Sequence, residues 1–240
     1  HVRVEAPEQF NRIAPAPPGT LRLLLEDSRA QALRPIVNWP QVQGVLDRLP
    51  GITAVSPVVS GPAFGRRGEA RKSIALLGID LPRYLRVIPL DRNMVEGRLD
   101  VAAGNAVIGR QLARDLGLHI GGKLRIDADM GREAVLNVSD IFELGVHELD
   151  ARYVYLDLKQ AQALLGLPGG VTVIDATVTD LFGADRIAAR VHALTGLKTE
   201  SWMQTNAQLL NALRSQTLST RMISAFVALS VALGIASVLA

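Results

Sequence analysis

Between Trp39 and Leu49 the apolar residues Val42, Val45, Leu46 and Leu49 recur at i, i+3, i+4 and i+7, which predicts a short helix. Pro50-Gly51 ends it, and the apolar run Ile52 to Val59 predicts a strand. A turn around Gly65 to Gly68 leads to a second predicted strand, Ser73 to Ile79, giving a helix–strand–strand unit. Ahead of it, His1 to Val4 alternates like a short strand. The segment Ala14-Pro15-Ala16-Pro17-Pro18-Gly19 is an extended loop by composition, and Thr20 to Leu25 is a further candidate strand. Nine of the twelve prolines fall before position 63, so regular structure is expected to be sparse there.

The middle of the chain has a different texture. Asn105 to Ile108 is a short apolar strand, and Arg110 to Leu116 a helix closed by Gly117. Lys123 to Ile126 alternates with period two, Met130-Gly131 marks a turn, and Glu133 to Phe142 and Arg152 to Leu158 predict two more strands. A helix over Leu158 to Leu165 ends at Gly166. A strand from Asp175 to Val178, a helix from Asp185 to Leu194 and a strand from Lys198 to Trp202 complete the series. The pattern predicts a mixed α+β chain: an α/β layer drawn from both chain ends, with a β-rich insertion between them.

The last stretch changes the class of protein. Met222 to Ala240 carries no charge over 19 residues, and about 20 apolar residues cross a bilayer. Its interruptions, Ser224, Ser230, Gly234 and Ser237, are small residues that membrane helices tolerate. Thr205 or Asn206 can cap a helix that runs through Leu209, Leu210, Leu213 and Leu218 into this segment without a strong breaker. The expectation is a stalk rising from the domain into a transmembrane helix.

Composition narrows the chemistry. The chain has 240 residues and a net charge of +3, with 26 basic against 23 acidic side chains, which is too balanced for a dedicated nucleic-acid binder. It has no cysteine, which removes disulfides, thiolate nucleophiles and Cys-ligated metals. The four histidines, His1, His119, His147 and His192, never stand at i, i+3 or i, i+4. His147-Glu148 beside Asp150 is the compact titratable cluster, and a solvated turn between two strands explains it better than a metal site. Ser56, Ser60 and Ser73 lack a nucleophile elbow, and no P-loop occurs. The glycine-dense stretches Gly117 to Gly122 and Gly166 to Gly170 do not join strand to helix as a phosphate cradle requires; they are turns. No catalytic, cofactor-binding or metal-binding residue is nominated, and no cofactor is expected.

Four segments resemble one family when taken in order. Ala106-Val107-Ile108-Gly109-Arg110-Gln111-Leu112-Ala113 through Leu116-Gly117 to Gly121-Gly122-Lys123-Leu124 resembles a pattern of bacterial ABC-transporter permeases of the MacB/LolC/LolE/FtsX type. There an apolar strand, Gly, a Leu-Ala helix, Leu-Gly and a further Gly precede the next strand. Val138 to Gly145 with Glu148-Leu149-Asp150, Tyr153 to Leu156 and Ala161-Gln162-Ala163-Leu164-Leu165 is similar to the following strand, loop, strand and helix. Pro50-Gly51-Ile52 with Val55-Ser56-Pro57 resembles the entry to the first strand pair, and the helix into an apolar run completes the order. The resemblance covers residues 39–240.

It implies an extracytoplasmic core domain with a porter-like α/β subdomain from residues 1–81 and 171–205, an inserted β-rich lobe over 82–170, and a stalk and transmembrane start over 206–240. Residues 1 to about 220 would lie in the periplasm, at the bacterial inner membrane. The implied partners are a cytoplasmic ABC ATPase, a second permease copy or paralogue in a dimer, the bilayer through Met222 to Ala240, and a periplasmic protein; nucleic acid is not among them. The implied work is mechanotransmission, coupling cytoplasmic ATP hydrolysis to periplasmic work, with lipoprotein release or efflux as examples. The domain itself is expected not to be an enzyme. The turn from Asp127 to Arg132 is too short for the long carrier-hooking hairpin of the LolC branch, and Glu5 to Ile36 has no counterpart. The alternative is an independent membrane-anchored periplasmic binding or enzymatic domain.

Overall fold

The computed structural model describes residues 1–6, 33–180 and 183–201. Ten strands are ordered along the chain: β1 (Val2–Glu5), β2 (Ile52–Arg67), β3 (Ala70–Ile79), β4 (Met94–Gly97), β5 (Asn105–Gly109), β6 (Lys123–Asp127), β7 (Glu133–Phe142), β8 (Tyr153–Asp157), β9 (Val173–Val178) and β10 (Lys198–Ser201). The helices are α1 (Trp39–Asp47), α2 (Leu81–Val87), α3 (Arg110–Asp115), α4 (His147–Asp150), α5 (Leu158–Leu165) and α6 (Ala184–Thr195). The chain is α+β, and all ten strands belong to one sheet.

β2 organises that sheet because it is 16 residues long and serves two neighbourhoods. Its first half pairs antiparallel with β9, which continues through β1 to β10. Its second half pairs with β3 on one side and β6 on the other. From β3 the ladder runs to β8, β5, β7 and back to β6, so these strands with β2 close into a six-stranded ring. Closure removes free strand edges, and a ring this small is filled by its own side chains. Ile74, Leu76, Ile108, Leu124, Ile126, Leu136, Val138 and Val154 share the inner face and are at most 1% exposed.

Helices cover what the ring leaves open. α5 begins at Asp157, whose carboxylate accepts from the Lys159 and Gln160 amides, and ends at Gly166 with φ +69°. It crosses β3 so closely that a Cβ on Gly78 would lie 2.3 Å from that of Ala161. α1 packs on β2 and β9 through Val42 and Leu46, and α6 on β1 and β10 through Ala184, Ala188 and Val191. The opposite face is covered by residues 81–101, and there Val58, Ile79, Tyr84, Leu90, Val101, Val107, Phe142 and Tyr155 form a second core.

Most sequence expectations coincide with elements, with three differences. β2 continues through Gly65 to Arg67, so the turn falls at Gly68 (φ +55°) and not across Gly65; Gly65 stays in the ladder because Ile74 and Leu124 close over it. α2 and β4 have no periodic apolar signal and form where Asp80 caps the Arg83 amide and where β7 offers an edge. The His147 to Asp150 segment is a short helix, not an open turn. The expected strand at Thr20 to Leu25 and the expected stalk and transmembrane helix lie outside the described residues. Among the described residues, no helix is long and apolar enough to cross a membrane.

Candidate functional site

The first and last described strands lie side by side. β1 runs antiparallel between β9 and β10, with Val2 opposite Ser201 and Glu5 opposite Lys198. Residues 1 and 201 therefore sit at one corner of the sheet. Ser201 is fully buried there, and its hydroxyl donates to the Asp185 carboxylate in the first turn of α6. His192 near the end of α6 places Nδ1 2.7 Å from the Leu197 carbonyl, tying the helix to the connection into β10.

Behind this corner stands a half-buried ion pair. Arg3 and Asp175 are register partners on β1 and β9, and the Arg3 Nε donates to Asp175 Oδ1 at 3.1 Å. Asp175 is 3% exposed and has buried Ser56 of β2 as its other cross-strand neighbour. Burial pushes its carboxyl above the ordinary carboxylate value, against the downward pull of the Arg3 guanidinium.

All three tyrosines of the chain gather on this face. Tyr84 of α2 and Tyr155 of β8 have ring centroids 5.7 Å apart, and the Tyr84 hydroxyl donates to the Tyr155 hydroxyl at 3.5 Å. Phe142 and Tyr153 approach Tyr155 edge-on at 5.3 and 6.4 Å. Burial raises the phenol of Tyr84 and, separately, that of Tyr155 above the usual tyrosine value, so both stay protonated in neutral solution. The cluster is a packed joint between α2, β7 and β8, with Asp175 close enough to act on Tyr84 electrostatically.

The titratable residues singled out in the sequence are not brought together as a site. His147 and Glu148 are exposed, while Asp150 is buried and accepts from the Leu144 and Gly145 amides at 2.8 and 3.2 Å. Asp150 thus locks the loop after β7, and α4 presses so tightly on β5 that a Cβ on Gly109 would lie 2.1 Å from the Asp150 carbonyl oxygen. His119 and His192 are exposed, and His1, ahead of β1, is half-buried. Ser56 is buried, the Ser60 amide donates to Thr172 Oγ1, and Ser73 is exposed on β3. Gly117, Gly121, Gly166 and Gly169 adopt positive φ, as turn glycines do. Among the described residues, no three His, Asp or Glu side chains are grouped as metal ligands. Sequence periodicity could not show the Arg3–Asp175 pair, which is 172 residues apart and follows from strand register.

The sequence model of the MacB-like periplasmic core domain matches residues 3–194, and the chain belongs to that family. It is a MacB-like periplasmic domain of an ABC transporter permease. Its fold is similar to the periplasmic region of MacB from Actinobacillus actinomycetemcomitans, with 15% identity and a TM-score of 0.54 over 88% of this chain and 92% of that one. It is also similar to the extracellular domain of the noncanonic ABC-type transporter YknZ from Gram-positive bacteria. That match has 16% identity and a TM-score of 0.50, over 67% of this chain and 86% of the other. Permease domains of this kind function with cytoplasmic ATPase partners.

Proposed function

We propose that this domain is a mechanical lever: ATP hydrolysis in a cytoplasmic partner displaces the chain segments flanking β1 and β10, and the ring of strands delivers that displacement outside the membrane. The observation that carries the reading is the pairing of Val2 with Ser201, which makes both flanking segments act on adjacent strands. A displacement there reaches β9 through the Arg3–Asp175 pair, then β2, which is continuous from β9 to β3 and β6. In this reading residues 1–81 and 171–205 receive the motion and the inserted 82–170 lobe presents it. The permease works as a dimer with a copy or paralogue, and Met222 to Ala240 enters the bilayer. Lipoprotein release, efflux and control of a periplasmic protein each suit such a lever. No residue acts as a catalyst, and the domain needs no metal or cofactor.

The test is a hinge. Residues 206–221, outside the described part, are proposed as the rigid link to the membrane. Replacing Leu213 and Arg214 with glycine removes about 1 kcal/mol of helix propensity at each position. In the complete transporter the double variant should insert and keep basal ATPase activity while transport or partner activation falls. Wild-type transport at normal protein levels contradicts the lever.

A further inference from the structure

Three arginines stand in one row across three adjacent strands on the outer face of the ring. Arg71 of β3, Arg66 of β2 and Arg125 of β6 are successive register partners, and Val135 of β7 ends the row. Like charges directly opposite one another in a ladder oppose folding. Other arginines nearby hold the fold: Arg132 Nε donates to the Leu164 carbonyl at 2.8 Å and Arg67 to that of Leu116 at 3.4 Å. The row does not. Arg66 and Arg125 reach Asp127 and Glu133 only at 3.8 and 3.7 Å, with 40% and 46% of their side chains exposed. Arg71 lies over the Phe64 ring, 3.8 Å from its centroid. Lys123 shares the face, so four cations stand against two carboxylates. Phe64 (41% exposed) and Val135 (53% exposed) flank the charges with apolar surface.

We infer that this face docks an acidic helix of a partner protein, one carrying carboxylates at i, i+3 or i+4, and i+7. The spacing selects a helix. Adjacent strands are about 4.8 Å apart, so the three guanidinium stems span about 9.6 Å. Residues i and i+7 of a helix are about 10.5 Å apart along its axis, with the intermediate carboxylate between them. In an extended peptide, three residues pointing the same way span about 13 Å and overrun the row. The apolar flanks favour a protein over a lipid surface, because arginine and aromatic side chains together mark protein interfaces. The inference goes beyond the lever reading and does not depend on it.

The probe is an alanine-based peptide of about 20 residues, long enough to hold a helix, with three glutamates in one stripe. A control of the same composition has them on three different faces. Binding of each to the full 240-residue chain in neutral detergent is read by fluorescence anisotropy. The stripe peptide should bind about tenfold tighter than the control, and Arg66→Gln with Arg125→Gln should abolish that preference. Arg190→Gln, on the exposed side of α6, should leave it intact. If the double variant melts early, Val135→Glu serves instead: a carboxylate at the end of the row should weaken the stripe peptide. Equal affinity for both peptides, or an unchanged preference in a folded variant, overturns the inference. So does displacement of the peptide by phosphatidylglycerol doped into the micelles through these arginines, which would assign the row to lipid headgroups.

Discussion

Arg3 Nε lies 3.1 Å from Asp175 Oδ1 across the β1–β9 ladder, and the two ends of that contact live in different media: the Arg3 side chain is 50% exposed and that of Asp175 5%. The arginine is therefore the solvent-side clamp on a carboxylate that the core would otherwise hold alone. Removing it leaves a buried charge without a partner. Arg3→Ala should cost about 1–3 kcal/mol in denaturant unfolding at pH 8. The sign with pH follows from Asp175, whose folded value is already raised by burial and rises further without Arg3. A raised carboxyl favours the folded state below its unfolded value and loses that advantage as pH climbs. The variant's deficit should therefore shrink at pH 5. An equal deficit at both pH values would show that the pair is not what holds this strand.

Asp140 offers a complementary case. It is 0% exposed, its Oδ1 accepts from the Ile141 amide at 2.7 Å, and its Oδ2 has no partner among the described residues. Burial raises its pKa, so ionisation works against the fold as pH rises through the folded value. Asp140→Asn keeps the bonded oxygen and removes the charge. Melting at pH 8 should show a gain of about 1 kcal/mol, fading toward pH 5; a loss at pH 8 would mean the carboxylate is stabilised by something else.

Two glycines should respond oppositely to the same change. Gly109→Ala forces a Cβ to within 2.1 Å of the Asp150 carbonyl oxygen, and should cost about 3 kcal/mol or prevent folding. Gly44 sits in α1 with nothing within 4 Å of its would-be Cβ. Gly44→Ala should add about 0.5–1 kcal/mol. Circular-dichroism melts of the two variants decide, and two changes of the same sign would refute the packing described around α4 and α1.

The sequence carried the local elements well because their signals are local. Val42, Leu46 and Leu49 mark α1, Gly117 and Gly166 mark helix ends, and the alternation in Lys123 to Ile126 marks β6. Long-range partners were not legible. Nothing in the string says that β2 serves two sets of neighbours, or that β6 closes a ring with it, since register depends on which apolar faces meet. The Arg66–Arg71–Arg125 row is hidden for the same reason: its members lie in three segments, and only pairing aligns them. Asp150 looked like part of a solvated turn because its role, capping the Leu144 and Gly145 amides, depends on the fold of the preceding loop.

The lever can be watched directly. These 240 residues hold no cysteine, so Glu69→Cys in the exposed β2–β3 turn places one spin label within the domain. In the permease dimer proposed above, the distance from this label to the equivalent position of the second subunit is measured by pulsed electron–electron resonance. It should shift when ATP binds and return after hydrolysis. Distance distributions that stay identical through the cycle, while ATP is being hydrolysed, would contradict a domain that carries motion across the membrane.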